Sequence, residues 1–305
     1  MSIHQHKKNL VLPIALIGGA VFNKWIGYLT FLSPYLIFVM LFITYCKLSV
    51  KDLKVGKFEA KLFLVQTVLS CLTYVLLFGF NHVVAEGVFI CVFVPTATAA
   101  PVITAMLGGN ISKVATYSLV YNFFLAVAGP IVLAAIGDRA NMTFLQSFTL
   151  ILGQVAPLLL APLASALALR YVFPSVHRKV ASHQQLSFYI WAISLFIVVG
   201  SCVSFAINAW TPDSTWIMVA LALGSLVVCI VQFRVGRWLG RKWGDPVSCA
   251  QSLMQKNTVL AVWLAMAYMN PIASIGPAAY IAWQNIVNSW QLVRHDSASF
   301  GSSAS

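Results

Sequence analysis

Two hydrophobic stretches of this chain break around small polar residues at a depth where a membrane helix should be continuous. They are Pro95-Thr96-Ala97-Thr98-Ala99-Ala100-Pro101 and Gln251-Ser252-Leu253-Met254-Gln255-Lys256-Asn257-Thr258. Hydrocarbon offers backbone amides and carbonyls no hydrogen bonds, so an interrupted helix persists only where the break is buried in protein or lines a polar cavity. Matching interruptions in two halves of a chain are also the strongest sequence pointer to the binding site of a membrane transporter. Any fold for this chain must shelter both breaks.

Composition puts them in a bilayer. The 305 residues are 60% hydrophobic and 9% charged, against about 25% charged in a soluble domain. A net charge of +12 would suit nucleic acid if the basic residues formed a patch. They are instead scattered through short loops, where bilayer orientation explains them, so the expected surroundings are lipid and no nucleic acid. Ten segments are long and apolar enough to span, at about 9–23, 26–46, 59–80, 85–107, 113–137, 145–170, 186–208, 215–234, 247–268 and 271–293.

Sorting the 19 Lys and Arg residues over that topology, with both termini cytoplasmic, places 16 inside. Only Lys24 and Arg139 fall outside, and Lys256 stays within a span, as the positive-inside rule requires. Lys7-Lys8 before an apolar run imitates a signal peptide, but no small-x-small cleavage site follows, which argues for an uncleaved first helix. Ten spans divide into two sets of five, and an odd-numbered repeat must insert its second copy inverted. The expected fold is all-α, with two inverted five-helix repeats whose fourth and ninth helices are broken. The Ser- and Ala-rich tail, 295–305, is expected to be disordered.

The candidate chemistry clusters at the breaks. Pro95 and Pro101 remove backbone donors, and Thr96 and Thr98 supply hydroxyls between them. A kink re-satisfied by threonine is the ordinary alternative, and the paired break in the other half favours a binding site. Lys256 lies well inside its span, where a charge costs roughly 2.5 to 3.5 kcal/mol and must face a cavity or partner. All seven acids (Asp52, Glu59, Glu86, Asp138, Asp213, Asp245 and Asp296) fall in loops or at helix ends, so none is expected to neutralise it. The six histidines are peripheral and the six cysteines read as small buried hydrophobes. No spacing fits a metal site, hydrolytic triad or phosphate loop, so neither enzyme activity nor a cofactor is expected. Gln66, Thr116, Ser118, Asn122, Trp283, Gln284, Asn285 and Asn288 are secondary polar candidates in neighbouring segments.

Ser33-Pro34-Tyr35-Leu36, the run from Pro95 through Leu107 with Gly109-Asn110, and Met254-Gln255 followed by Trp283 and Asn285 together resemble the bile acid:sodium symporter family over nearly the whole chain. The resemblance implies one integral membrane transporter domain in a bacterial inner membrane. Its panel would be helices 1, 2, 6 and 7 (about 9–46 and 145–208) and its core helices 3–5 and 8–10 (about 59–137 and 215–293). Helices 4 and 9 would cross near two sodium sites, with an organic anion bound between panel and core. The chain departs from that pattern. The family's Ser-Asn pair becomes Ala100-Pro101, and one of two helix 5 hydroxyl positions becomes Val114 while Ser118 keeps the other. The helix 9 glutamate becomes Gln251, and the asparagine after Met254-Gln255 becomes Lys256, or Asn257 with one residue inserted. Gln66 matches a helix 3 glutamine.

These changes share a direction, because cation ligands disappear and a fixed ammonium arrives. Two unit charges about 4 Å apart repel by some 4 kcal/mol at an effective dielectric near 20. The expectation is a monomeric secondary transporter of a small amphipathic organic anion, in which Lys256 replaces a coupling sodium. The substrate site would comprise Thr96, Thr98, Ala100, Pro101, Lys256, Asn257, Thr258 and Asn285, and the coupling site Gln66, Ser118, Gln251, Met254, Gln255 and Lys256. Sodium and a proton both stay open as the coupling ion. Three alternatives remain: a conventional sodium symporter, an efflux carrier of the arsenite type, and a ligand-sensing membrane protein that transports nothing.

Overall fold

The computed structural model describes residues 14–47 (except 16), 55–97, 100–137, 143–182, 184–208 and 210–302. A helical stretch at 17–21 and α1 (Asn23–Ile26) lead through a 3-10 turn (Gly27–Leu32) into α2 (Ser33–Lys47). There follow α3 (Lys57–Phe78), α4 (His82–Phe93), α5 (Ala100–Met106), α6 (Ile111–Ile136), α7 (Phe144–Val172), α8 (Pro174–Ser182) and α9 (Gln184–Asn208). The chain closes with α10 (Thr215–Trp243), α11 (Pro246–Met254), α12 (Thr258–Tyr268) and α13 (Ile275–Ser302). Among the described residues the one departure from helix and turn is an isolated antiparallel bridge.

Among the described residues, five stretches are long and apolar enough to cross a membrane: Tyr28–Cys46, Lys57–Phe78, Ile111–Ile136, Phe144–Val172 and Pro212–Trp243. Their sidedness reverses that of a soluble helix. In α3, Leu64, Val68, Leu72 and Val75 are exposed, whereas Glu59, Leu62, Gln66 and Ser70, spaced three or four residues apart, are buried. A helix that is apolar outside and polar inside is solvated by lipid and hydrogen-bonds inward. This is an all-α membrane protein.

The segments expected at 85–107 and 247–268 are each two short helices with an extended break between them, α4/α5 and α11/α12. α10 continues beyond its expected end at 234 because nothing stops it before Gly244, whose φ of 75° closes the helix in the left-handed region. α13 runs on to Ser302 over most of the stretch expected to be disordered; residues 303–305 lie outside the described residues. A Ser- and Ala-rich composition does not by itself break a helix, since Ala is the strongest helix former and Ser is tolerated.

α2 packs against α7 and α9, while α4 packs against α3, α10 and α13. α4 and α13 approach at backbone distance: a Cβ on Gly87 would stand 2.5 Å from the Ala273 oxygen, and one on Gly276 would stand 2.6 Å from the Gly87 oxygen. At one end of the molecule Lys113 pairs with Asp245 at 3.1 Å, and the Asn110 amide donates to Ser248 Oγ at 2.7 Å. Elsewhere Glu86, counted by sequence among the peripheral acids, is fully buried. Its carboxylate accepts from the Asn270 amide at 3.0 Å, tying the start of α4 to the turn after α12. Cys71 departs from the expectation of buried cysteines and lies exposed on the apolar outer face of α3.

Candidate functional site

The two breaks meet. Thr96 and Lys256 form an antiparallel bridge, in which the Ala97 amide donates to the Gln255 carbonyl and the Asn257 amide to the Pro95 carbonyl, both at 2.9 Å. Each interrupted helix thus supplies the hydrogen bonds that the other has lost, as burial in an apolar medium demands. The outward backbone groups of the bridge are taken by side chains from two further helices. Ser118 of α6 donates to the Thr96 carbonyl at 2.9 Å, and Gln284 of α13 accepts from the Lys256 amide at 2.9 Å.

Lys256 is 1% exposed. Its Nζ donates to the carbonyls of Val92 and Val94, at 2.9 and 3.3 Å, where α4 ends. A helix C-terminus carries the negative end of the helix dipole, so the amine nitrogen sits against partial negative charge in the absence of a carboxylate. Gln66 Nε2 donates to the same two oxygens, at 3.0 and 2.9 Å. A carbonyl oxygen has two lone pairs, and on Val92 and Val94 both are spoken for. An ammonium has three N–H donors; among the described residues two of those on Lys256 are used and the third is spare.

A second pair of residues mirrors Gln66 and its neighbour. Tyr117 of α6 donates its hydroxyl to Gln66 Oε1 of α3. Correspondingly, Gln232 of α10 donates to the hydroxyl of Tyr280 of α13 at 3.0 Å, and that hydroxyl donates to the Met254 carbonyl, where α11 ends, at 2.7 Å. Each break is therefore held at the carbonyl end of its first half-helix by a glutamine–tyrosine pair.

The remaining expected site residues are placed as follows. Thr96 donates its hydroxyl to the Ser252 carbonyl at 2.7 Å. Thr98 lies outside the described residues. Ala100 and Pro101 open α5, and the Ala100 carbonyl accepts from Thr104 at 2.8 Å. Asn257 caps α12 by accepting from the Leu260 amide at 3.2 Å, and Thr258 is its buried first residue. Gln251 lies one turn before Gln255 and reaches Asn288 and Gln291 at 3.4 and 3.5 Å. Asn285 turns back on its own helix, donating to the Ile281 carbonyl at 2.6 Å, whereas its neighbour Gln284 is the α13 side chain bonded to Lys256. Four polar atoms at the second break are buried without a partner among the described residues: Gln251 Oε1, Ser252 Oγ, Gln255 Nε2 and Asn257 Nδ2.

The arrangement can offer N–H donors and a positive charge to an acceptor-rich ligand. To a bare cation it offers the unpartnered Gln251 Oε1 but not the Val92 and Val94 carbonyls, which are saturated. Among the described residues no group of three His, Cys, Asp or Glu could hold a metal ion. Sequence reasoning passed over Tyr117, Tyr280 and Gln232, and it could not see the Val92 and Val94 carbonyls. The chain matches no protein-family model, and no curated protein matches it.

Proposed function

We propose that this protein is a secondary transporter of a small amphipathic organic anion and that Lys256 does the work of a coupling cation. The observation carrying this reading is the placement of the Lys256 ammonium on the Val92 and Val94 carbonyls beside Gln66. Backbone carbonyls at an unwound break are where transporters of this architecture hold a sodium ion. The spare N–H of Lys256 and the donors of Ser252, Gln255 and Asn257 that lack a partner among the described residues suit one ligand chemistry, a carboxylate.

The ten-span, inverted-repeat architecture belongs to the same proposal. Lys113 pairs with Asp245, and Glu86 with Asn270, and each pair joins loops that the charge distribution assigns to one side of the membrane. The Gln66–Tyr117 and Gln232–Tyr280 pairs occupy corresponding helices of the two five-helix sets. Lys256 and Thr96, each 1% exposed, are closed off from solvent, so substrate reaches the crossing only by rocking of the panel helices (α2, α7, α9) against the rest.

A thermal-shift screen of carboxylated amphiphiles on purified protein, followed by uptake of the best binder into proteoliposomes, tests this. Saturable uptake is expected. Stabilisation without uptake would leave the ligand-sensing reading in its place.

A further inference from the structure

A cleft of ≈ 630 Å³ opens between the C-terminal parts of α10 and α13. Arg234, Arg237 and Arg241 line it from α10, where a spacing of three and four residues puts them on one helix face. Arg294 lines it from α13. Among the described residues none of the four has an ion-pair partner, and the nearby carboxylate of Asp245 is already engaged by Lys113 at 3.1 Å. Four guanidinium groups gathered without a counter-charge repel one another, and an anion relieves that repulsion.

Two indoles stand among these charges. Trp238 is 54% and Trp290 46% exposed, and both line the cleft. The Arg294 guanidinium lies 4.5 Å from the centre of the Trp290 ring, and Lys242 Nζ lies 3.9 Å from that of Trp238. Exposed tryptophan is at home at the headgroup level of a bilayer. In α10 the arginines follow directly on the apolar run that ends at Phe233, where cytoplasmic basic residues flank a membrane helix.

We propose that this cleft binds the phosphate headgroup of an anionic membrane phospholipid. Guanidinium groups bind phosphate in bidentate fashion, and basic pockets between transmembrane helices on the cytoplasmic side suit anionic headgroups. The exposed indoles select lipid over free phosphate, because only lipid brings glycerol and acyl carbons to cover them. The cleft belongs to the end of the molecule that the charge distribution places inside, so the lipid is one of the inner leaflet.

The test uses the full chain in nanodiscs of phosphatidylcholine alone or with phosphatidylglycerol, read by thermal unfolding and by native mass spectrometry of retained lipid. Phosphatidylglycerol is expected to raise Tm and to be retained preferentially. The pair Arg237→Gln with Arg241→Gln is expected to abolish the shift and to weaken retention roughly 30-fold. Arg178→Gln with Lys179→Gln on α8 removes the same charge elsewhere and should leave both readouts unchanged. If the α10 pair does not fold, Arg294→Gln alone should weaken retention roughly fivefold. Equal behaviour in the two lipids, or an equal effect of the α8 pair, would overturn the proposal. So would millimolar inorganic phosphate reproducing the shift in phosphatidylcholine.

Discussion

Gln66 and Lys256 donate to the same two carbonyl oxygens, those of Val92 and Val94, one from helix α3 and the other from the extended break between α11 and α12. They are not equivalent. The amide of Gln66 is itself held by Tyr117 and makes a closed structural unit of α3, α4 and α6. Lys256 brings a charge, a spare donor and a position in the bridge between the breaks. One residue fixes the break, and the other is the residue on which the proposed function turns.

That division predicts different outcomes for two substitutions. Gln66→Leu removes three hydrogen bonds and leaves the Tyr117 hydroxyl only the Leu62 carbonyl at 3.4 Å, and at about 0.6 kcal/mol per bond in a membrane protein it should lose about 2 kcal/mol of stability. Lys256→Met removes a buried charge together with its desolvation cost, and replacing a buried ion by a well-packed apolar side chain is often near neutral. It should keep the unfolding temperature within a few degrees while abolishing ligand-induced stabilisation. Thermal unfolding with and without ligand separates the two, and a large loss of stability in Lys256→Met would make that lysine a structural tie only.

Gln255→Ala should weaken substrate binding by roughly tenfold or more with little change in stability, because the Nε2 it removes has no partner among the described residues and a hydrogen bond to a charged ligand is worth about 1.5 to 3 kcal/mol. The backbone carbonyl that Gln255 contributes to the bridge is untouched by the substitution. A titration of ligand against thermal shift gives the affinity directly. Unchanged affinity would remove Gln255 from the site.

Gly87→Val should fail to accumulate folded protein, or unfold at a much lower temperature. The new side chain meets backbone of the neighbouring turn at Ala273, which cannot swing away as a side-chain tip would. Gly79→Val is the control, since a Cβ there meets nothing within 4 Å. Comparable loss in both would show that the close contact of α4 with α13 is not what matters.

The breaks themselves were legible because polar residues and prolines interrupt apolar runs that are otherwise continuous. How they meet was not. The first break has Pro95 to enforce it, but Gln255-Lys256-Asn257 contains no proline or glycine, and its extended backbone is held by the partner break and by Gln284. Pairing across more than 150 residues leaves no local trace. Lys256 and Gln66 stood out as polar groups in apolar surroundings, whereas a lone tyrosine such as Tyr117 or Tyr280 reads as ordinary core. The Val92 and Val94 carbonyls have no sequence signature at all, since backbone oxygens become ligands only through the way a helix ends. Glu86 was misjudged because its place near the start of α4 looked peripheral, although the turn at Asn270 folds over it.

The central claim is that the Lys256 ammonium stands where a coupling cation would otherwise be bound. The most direct measurement is uptake of the anion into proteoliposomes while sodium is replaced by potassium at constant ionic strength, for the wild type and for Lys256→Asn combined with Gln251→Glu. Wild-type uptake should be indifferent to the exchange. The double variant, having lost the ammonium and gained a carboxylate, should bind sodium better and show whatever sodium dependence the site can support. Strong sodium activation of the wild-type protein would contradict the account and favour a conventional sodium symporter.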